Sequence, residues 1–473
     1  MDEAILDIVV IGAGTAGLAA LREIRKRSER FALIDDGKWG TTCARVGCMP
    51  SKALIEAANA FHRRRDFDTF GIRGAESLRA DVPAVLARVR VLRDQFVSGV
   101  RKLTDGLGER AITGHARIVA PDCVEVNGRR LRARRIIVAT GSEPVVPPPW
   151  RALGDRLLTT DDLFERVDLP ARIAVVGMGA VGAEIAQALS RLGIEVTAFG
   201  SSELAAGLSD PQVNAALLAS LRQEFPVHVG APAVVSAADD GSVRVSNGRQ
   251  EVQVDAVLAA LGRRPVLAGL GLETLGVALD ENGLPSIDPT TMRAGASQVF
   301  VVGDANAQAP LQHEAADEGH IAGLIASGAV TRRFRRRVPL SIVFCDPEVA
   351  VVGRRFSQLD ASDVLVGEYR FERQGRARIE QRARGVLRVY AARGIGLLLG
   401  AELCAPAGAH LAHLLALAME RTLTVHDLLR MPFYHPMLEE GLRSALRELA
   451  SQLPPCSESD LAGCGPIGAD AIE

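Results

Sequence analysis

Residues 7–17 read Asp-Ile-Val-Val-Ile-Gly-Ala-Gly-Thr-Ala-Gly, and this stretch decides the fold of the first part of the chain. Asp7 to Ile11 is an apolar, β-branched run, which predicts a buried parallel strand. Three glycines follow at once. Gly12 allows a tight turn, Gly14 lets the backbone approach a pyrophosphate, and Gly17 lets a helix pack closely on the strand.

The residues after the glycines complete a dinucleotide-binding pattern. Leu18 to Lys26 has helical character, and the next strand, Phe31 to Ile34, ends in Asp35. An acid at this position holds a ribose hydroxyl of the nucleotide. Strand, glycine turn, helix, strand and acid in this order predict a dinucleotide site.

The chain repeats this plan over residues 173–199. The second turn contains Gly177, Gly179 and Gly182, and the position that matches Asp35 is Gly200. Two intact glycine turns predict two dinucleotide sites, and the alternative is a structural repeat without function.

A second informative stretch is residues 40–52, Gly-Thr-Thr-Cys-Ala-Arg-Val-Gly-Cys-Met-Pro-Ser-Lys. Pro50 suits the first turn of a helix predicted to reach His62, so Cys48 lies near a helix N-terminus, where the dipole favours a thiolate. Lys52 shares a helix face with Cys48, and Cys43 supplies a second sulfur. The stretch predicts a redox centre. Structural or metal-binding cysteines are the alternative, but the spacing matches no standard zinc site, and no metal site is predicted.

Bulk composition narrows the function classes. The chain has 473 residues, a formal net charge of −2 and seven cysteines. This charge gives no reason to expect nucleic acid or membrane binding, and no apolar run reaches membrane-spanning length. We expect no signal peptide, and a cytoplasmic, reducing setting in which any disulfide is catalytic.

The predicted fold is α/β, with two doubly wound dinucleotide-binding domains and a C-terminal α+β domain. Single strands are predicted over Arg117–Val126 and Val252–Leu261, and strands without long intervening helices after Leu340 predict an antiparallel sheet. The predicted boundaries are a first nucleotide domain at 1–147, a second at 148–267, a segment at 268–337 that completes the first, a third domain at 338–453 and a flexible tail at 454–473.

The last predicted helix supplies a candidate acid–base pair. Pro436 is expected to open this helix, which places His435 at its N-terminal boundary and Glu440 one turn inside. A histidine held by a carboxylate, in a protein with a reactive cysteine pair, can move protons. The alternative is a surface or core histidine.

These motifs, taken in order, resemble the pyridine nucleotide–disulfide oxidoreductases, most closely the dihydrolipoamide dehydrogenases. The matching residues are both glycine turns, the Cys43–Lys52 stretch, Ala-Thr-Gly141, Glu184, Gly262-Arg-Arg-Pro265, Gly303-Asp304, Asp346-Pro-Glu348 and His435-Pro…Glu440.

The resemblance implies a division of roles. Cys43 is the interchange thiol, Cys48 contacts the flavin, Lys52 pairs with Glu184, and His435 with Glu440 serves the active site of the opposite subunit of a homodimer. The implied FAD-binding residues are Gly12, Gly14, Gly17, Asp35, Thr41, Thr42, Lys52, Ala116, Thr140, Gly141, Gly303, Asp304 and Gln312. The implied nicotinamide-dinucleotide residues are Gly177, Gly179, Val181, Gly182 and Gly262. The implied substrate is a dihydrolipoyl group, on an acyltransferase subunit of a 2-oxoacid dehydrogenase complex.

Several features leave alternatives open. Gly200 lacks the acid expected for NAD, yet no arginine between Gly200 and Asp210 meets a 2′-phosphate, so NAD is predicted and NADP is not excluded. Phe433 and Tyr434 precede His435 where the dehydrogenases usually have His and a small residue. The alternative functions are reduction of another small disulfide with NAD(P)H and a mercuric-reductase-like metal reduction. In the tail, Cys456 and Cys464 are either an electron relay or incidental thiols.

Overall fold

A computed structural model describes residues 5–454, and it has two parallel sheets followed by an antiparallel one. The elements up to residue 163 are β1 (Leu6–Ile11), α1 (Thr15–Ile24), β2 (Phe31–Asp35), α2 (Thr42–Arg45), α3 (Cys48–His62), α4 (Val82–Asp105), β3 (Ala111–Thr113), β4 (Ala116–Ala120), β5 (Cys123–Val126), β6 (Arg129–Val138), β7 (Ser142–Pro144), β8 (Leu157–Leu158) and α5 (Thr160–Leu163). Those up to residue 326 are β9 (Arg172–Val176), α6 (Ala180–Arg191), β10 (Glu195–Gly200), α7 (Pro211–Leu221), β11 (Val227–Val229), β12 (Val234–Ala237), β13 (Val243–Ser246), β14 (Glu251–Val254), β15 (Ala256–Ala259), β16 (Arg263–Pro265), β17 (Val299–Val301) and α8 (Gln312–Ala326). The rest are β18 (Leu340–Val343), β19 (Glu348–Gly353), β20 (Val364–Arg370), α9 (Gly375–Ile379), β21 (Val386–Ala392), β22 (Leu398–Ala405), α10 (Gly408–Glu420), α11 (Val425–Leu429) and α12 (Glu440–Gln452).

The first sheet has the order β3-β2-β1-β6-β5-β4, with β17 also paired to β6. Its β1, β2, β3, β6 and β17 run parallel, and β4 and β5 form an antiparallel extension. The sheet is apolar on both faces. α1 and α8 cover one face, and Leu270, Leu272 and Ile287 pack on the other. Gly319 makes this packing possible, since an added Cβ would lie 2.0 Å from the Ala16 carbonyl oxygen.

The second parallel sheet has the order β11-β10-β9-β15-β8, and a small antiparallel sheet, β12-β13-β14, lies beside it. The third large sheet is antiparallel, in the order β18-β19-β22-β21-β20, with the apolar sides of α10 and α12 in its core. The predicted fold class is therefore confirmed. The domain boundaries stay predictions, and the tail with Cys456 and Cys464 lies outside the described residues.

Three predicted elements were wrong in detail. The strand predicted over Arg117–Val126 is the hairpin β4–β5, because Pro121 and Asp122 form a turn between them. The run predicted as one strand over Val252–Leu261 belongs to two sheets. Its two parts, β14 and β15, separate at Asp255, which is bound to Arg172 on β9.

Pro436 does not open the last helix. Residues 435–439 form turns, and α12 begins at Glu440, whose side chain accepts the Met437 N–H at 3.2 Å. Glu440 is thus the first residue of the helix rather than one turn inside it.

Candidate active site

The cysteine pair lies where α2 gives way to α3. Cys43 is on α2, Cys48 is the first residue of α3, and both are half-buried free thiols. Gly47 permits the sharp connection, since an added Cβ would lie 3.0 Å from the Thr42 carbonyl oxygen. α3 begins at Cys48, two residues before Pro50, which puts Cys48 itself in the first turn of the helix.

The two sulfurs differ in acidity. The hydrogen bond with the Cys43 thiol, helped by the Lys52 ammonium, lowers the pKa of Cys48 to about 6 despite burial. The same hydrogen bond, together with burial, raises the pKa of Cys43. At neutral pH the pair therefore holds its negative charge on Cys48, as a helix N-terminus favours.

Lys52 connects this pair to two other parts of the chain. Its Nζ donates to both carboxylate oxygens of Glu184 on α6, at 3.2 and 2.9 Å, and lies 4.6 Å from the centre of the Phe344 ring. Glu184 is buried and also accepts the Phe344 N–H at 2.9 Å. The Lys52 ammonium beside the cysteines is therefore held by Glu184 from the second nucleotide domain and by Phe344, which follows β18 of the third sheet.

The first glycine turn forms a cradle for a dinucleotide. An added Cβ would lie 2.2 Å from the Ala139 carbonyl oxygen at Gly12 and 1.9 Å from the Gly12 carbonyl oxygen at Gly17. At Gly14 the nearest atom is 3.9 Å away, so the start of α1 is open to a ligand. Asp35 accepts the Ala13 N–H at 2.9 Å, and burial raises the pKa of its carboxyl.

Further polar groups lie beyond the carboxyl ends of the same sheet. The Thr140 hydroxyl is buried with no hydrogen-bond partner among the described residues, and Ser142 Oγ donates to Asp304 Oδ2 at 2.6 Å. An open glycine turn and an orphaned hydroxyl at one sheet edge fit FAD, which these residues would hold.

The other predicted FAD residues have ordinary local positions. Thr41 caps α2 by accepting the Ala44 N–H at 3.1 Å, and Ala116 begins β4. The exposed residues Thr42 and Gln312 begin α2 and α8, and Gly141 and Gly303 have positive φ. Their roles in binding stay predictions.

The second glycine turn repeats the geometry of the first. Added Cβ atoms would lie 2.1 Å from the Ala260 carbonyl oxygen at Gly177 and 1.7 Å from the Gly177 carbonyl oxygen at Gly182, whereas Gly179 faces open space. Val181 is exposed in the first turn of α6, and Gly262 has a φ of +93°. This turn fits a nicotinamide dinucleotide, which it would hold at the start of α6.

His435 and Glu440 form a pair at the start of α12. His435 Nδ1 lies 3.0 Å from Glu440 Oε1, and this contact lowers the pKa of the Glu440 carboxyl. The His435 side chain is 81% exposed, so its other ring nitrogen is open to a partner subunit or substrate.

Three residues near these groups were missed by sequence reasoning. They are Phe344 beside Lys52, Gln374, which donates to the Met437 carbonyl oxygen at 2.7 Å in the His435 loop, and Glu318. Glu318 is 1% exposed and accepts the Gly303 N–H at 2.7 Å. The sequence contained a signal for Glu318, because it is a carboxylate next to Gly319 on a helix face of small residues. It contained no such signal for Phe344 or Gln374.

Comparison with known proteins agrees with this geometry. Residues 6–319 match the family model "Pyridine nucleotide-disulphide oxidoreductase", and residues 339–446 match the family's dimerisation domain. The dihydrolipoyl dehydrogenase of Thermus scotoductus is 32% identical over 459 residues, covering 94% of this chain and 98% of the relative. That of Bacillus subtilis is 30% identical, with 93% and 98% covered.

Solved structures share the fold. LpdA of Mycobacterium tuberculosis aligns with a TM-score of 0.81 and 26% identity, over 93% of this chain and 99% of that one. The flavoprotein disulfide reductase RclA of Escherichia coli aligns with a TM-score of 0.81 over 94% and 99%, and at 23% identity it supports the fold alone. Within residues 5–454, no helix has both the length and the apolar character needed to span a membrane.

The dimerisation domain supports a homodimer, and members of the matched family use FAD and NAD(P). The chain therefore belongs to the pyridine nucleotide–disulfide oxidoreductases and is a flavoprotein disulfide oxidoreductase.

Proposed function

We propose that this enzyme oxidises a dihydrolipoyl group with NAD through the Cys43–Cys48 redox pair. The observation that carries the proposal is the 3.0 Å contact between His435 and Glu440, on a histidine that is otherwise exposed. Oxidising a dithiol requires a base for its protons, and a carboxylate on Nδ1 orients the ring and stabilises its charged form. The relatives named dihydrolipoyl dehydrogenase support the same substrate.

The proposed reaction begins with the pair as a disulfide. His435 of the opposite subunit takes a proton from one substrate thiol, and the resulting thiolate attacks Cys43 Sγ. The Cys43–Cys48 bond breaks, and its electron pair leaves on Cys48 as a thiolate, which the low pKa of Cys48 favours.

The second substrate thiol then completes the exchange. His435, which has released the first proton to solvent, takes the proton of this thiol, and the sulfur attacks the substrate sulfur bound to Cys43. The attack forms the lipoyl disulfide and releases Cys43 as a thiolate. The proton on His435 returns to Cys43, whose raised pKa suits a thiol. Two electrons now reside on the cysteine pair, and bound FAD supplies the chemistry that passes them to NAD.

A second candidate is NAD(P)H-dependent reduction of another small disulfide. Tyr434 is 80% exposed beside His435, and Arg443 lies over the Phe433 ring at 5.8 Å. These side chains place aromatic surface next to His435, and such a surface would favour a disulfide other than lipoamide.

Steady-state rates separate the two candidates. We expect the FAD-loaded enzyme to oxidise dihydrolipoamide with NAD faster than it reduces any of a panel of small disulfides with NADH or NADPH. A Tyr434→Ala variant tests the access surface without removing His435. Higher turnover of a non-lipoyl disulfide than of lipoamide would favour the second candidate.

We also propose that the dihydrolipoyl group is presented by an acyltransferase subunit of a 2-oxoacid dehydrogenase complex in the cytoplasm. A lipoyl-bearing domain should then be a better substrate than free dihydrolipoamide. Equal kcat/KM for both would argue against a multienzyme partner.

A further inference from the structure

A basic cavity of about 390 Å³ lies in the first sheet's domain, away from the glycine turn. Arg135, Arg293 and Arg333 line it. Arg135 is on β6 beside the start of β17, where Ile136 pairs with Val299. The glycine turn lies beyond the opposite, carboxyl ends of these parallel strands, so the cavity is separate from the dinucleotide cradle.

The guanidinium groups of this cavity have few partners. Arg135 Nη1 donates to the Ala326 carbonyl oxygen at 3.1 Å, and its Nε is buried with no hydrogen-bond partner among the described residues. Arg293 lies over the Phe300 ring at 5.6 Å. Within residues 5–454, no carboxylate forms an ion pair with either arginine.

The remaining charges do not cancel this excess. Asp288 Oδ2 lies 3.8 Å from Arg333, so the one carboxylate of the lining faces the third arginine. The carbonyl groups at the C-terminus of α8 carry partial negative charge and disfavour a bound anion. One of them, the Ala326 carbonyl, already accepts a hydrogen bond from Arg135. Three cations and one anion leave a net positive cavity in a chain of net charge −2.

We propose that this cavity binds a small metabolite that carries a phosphate group. The guanidinium groups of Arg135 and Arg293, neither paired with a carboxylate, match the charge of a phosphate dianion. Their planar N–H donors suit its oxygen atoms. Ile325 and Val330 give the lining an apolar side for the carbon part of the ligand. The volume falls in the range of small-molecule sites. The proposal is independent of the disulfide substrate.

Inorganic pyrophosphate is the probe, titrated calorimetrically into the oxidised, FAD-loaded full-length enzyme at constant ionic strength and in saturating NAD, which occupies the second nucleotide site without reducing the flavin. We expect wild type to bind it and Arg293→Gln to bind at least about tenfold more weakly, since a charge-assisted contact is lost. Arg293→Lys should retain part of the affinity, because it keeps the positive charge. Arg135→Gln should lose affinity like Arg293→Gln.

Arg134→Gln is the matched control, because Arg134 is the neighbouring residue on β6 but is 63% exposed and pairs with Asp7 at 3.6 Å. Its affinity should equal that of wild type. The flavin spectrum and melting temperature check that each variant folds, and Arg293→Gln removes no described hydrogen bond. No binding by wild type, or equal binding by wild type and Arg293→Gln, would overturn the proposal.

Discussion

Lys52 Nζ lies 2.9 Å from Glu184 Oε2, so one ion pair joins the helix of the cysteine pair to the helix of the second glycine turn. The Glu184 side chain is 6% exposed and the Lys52 side chain 34%, so the pair is largely shielded from solvent. Because the Lys52 ammonium favours the Cys48 thiolate, a contact between two helices helps to set the charge of the Cys43–Cys48 pair.

Lys52→Met should raise the pKa of Cys48 above about 6, because the variant removes a cation that stabilises the thiolate. The ionised fraction at pH 7 then falls. The rate of Cys48 alkylation against pH in the reduced enzyme, followed on its peptide by mass spectrometry, gives the midpoint of Cys48 ionisation. Lys102→Met, on α4, is the control and should leave the midpoint at its wild-type pH. A midpoint shared by both variants would show that Lys52 does not tune the thiol.

Cys43→Ser should abolish dihydrolipoamide oxidation and leave Cys48 as a free thiolate, since the serine hydroxyl can still donate a hydrogen bond to it. In the FAD-loaded protein we expect a long-wavelength charge-transfer band without added reductant. Absorbance spectra measure it, and Cys48→Ser is the control that should lack the band. If Cys43→Ser lacked the charge-transfer band, Cys48 would not be the thiol that contacts the flavin.

His435→Gln should slow dithiol oxidation by about 10²- to 10⁴-fold, the usual contribution of a positioned acid–base. NADH-dependent reduction of an artificial electron acceptor should change little, because it takes no proton from a dithiol. His413→Gln, an exposed site on α10, should leave both rates unchanged. Equal losses of activity in the two assays would show that His435 has a structural role and not an acid–base role.

Gly200→Glu should shift the enzyme toward NAD over NADP by about tenfold or more, because a carboxylate there can bind the ribose hydroxyls and repel a 2′-phosphate. Gly200→Ala is the matched control. In both variants the new Cβ meets Met178 Cβ at 3.1 Å and Val229 Cγ1 at 3.3 Å, so both share the packing cost. The ratio of kcat/KM values reports preference, and equal ratios would exclude position 200 from the ribose site.

The candidate site could be predicted as far as its groups are local in sequence. The glycine turns, the Cys43–Cys48 spacing and the His435…Glu440 spacing each lie within one short segment, where backbone sterics and helix geometry govern the outcome. Asp35 accepts the Ala13 N–H because parallel neighbours β1 and β2 end at the same sheet edge, which the motif already implies.

Other features could not be predicted, because they depend on contacts between segments that are distant along the chain. Periodicity cannot divide an apolar run between two sheets, so the break at Asp255 came from its pairing with Arg172. Likewise, nothing near Phe344 or Gln374 in the sequence indicates the side chains they contact.

The sequence by itself determined the two glycine turns, the closeness of Cys43 and Cys48 and the antiparallel third sheet, because each depends on a local pattern of backbone and side-chain preference. Only the tertiary structure decided that Phe344 lies against Lys52 and which arginines share the basic cavity. Those depend on how separate helices and strands pack, and electrostatic interaction follows distance in space rather than distance along the chain.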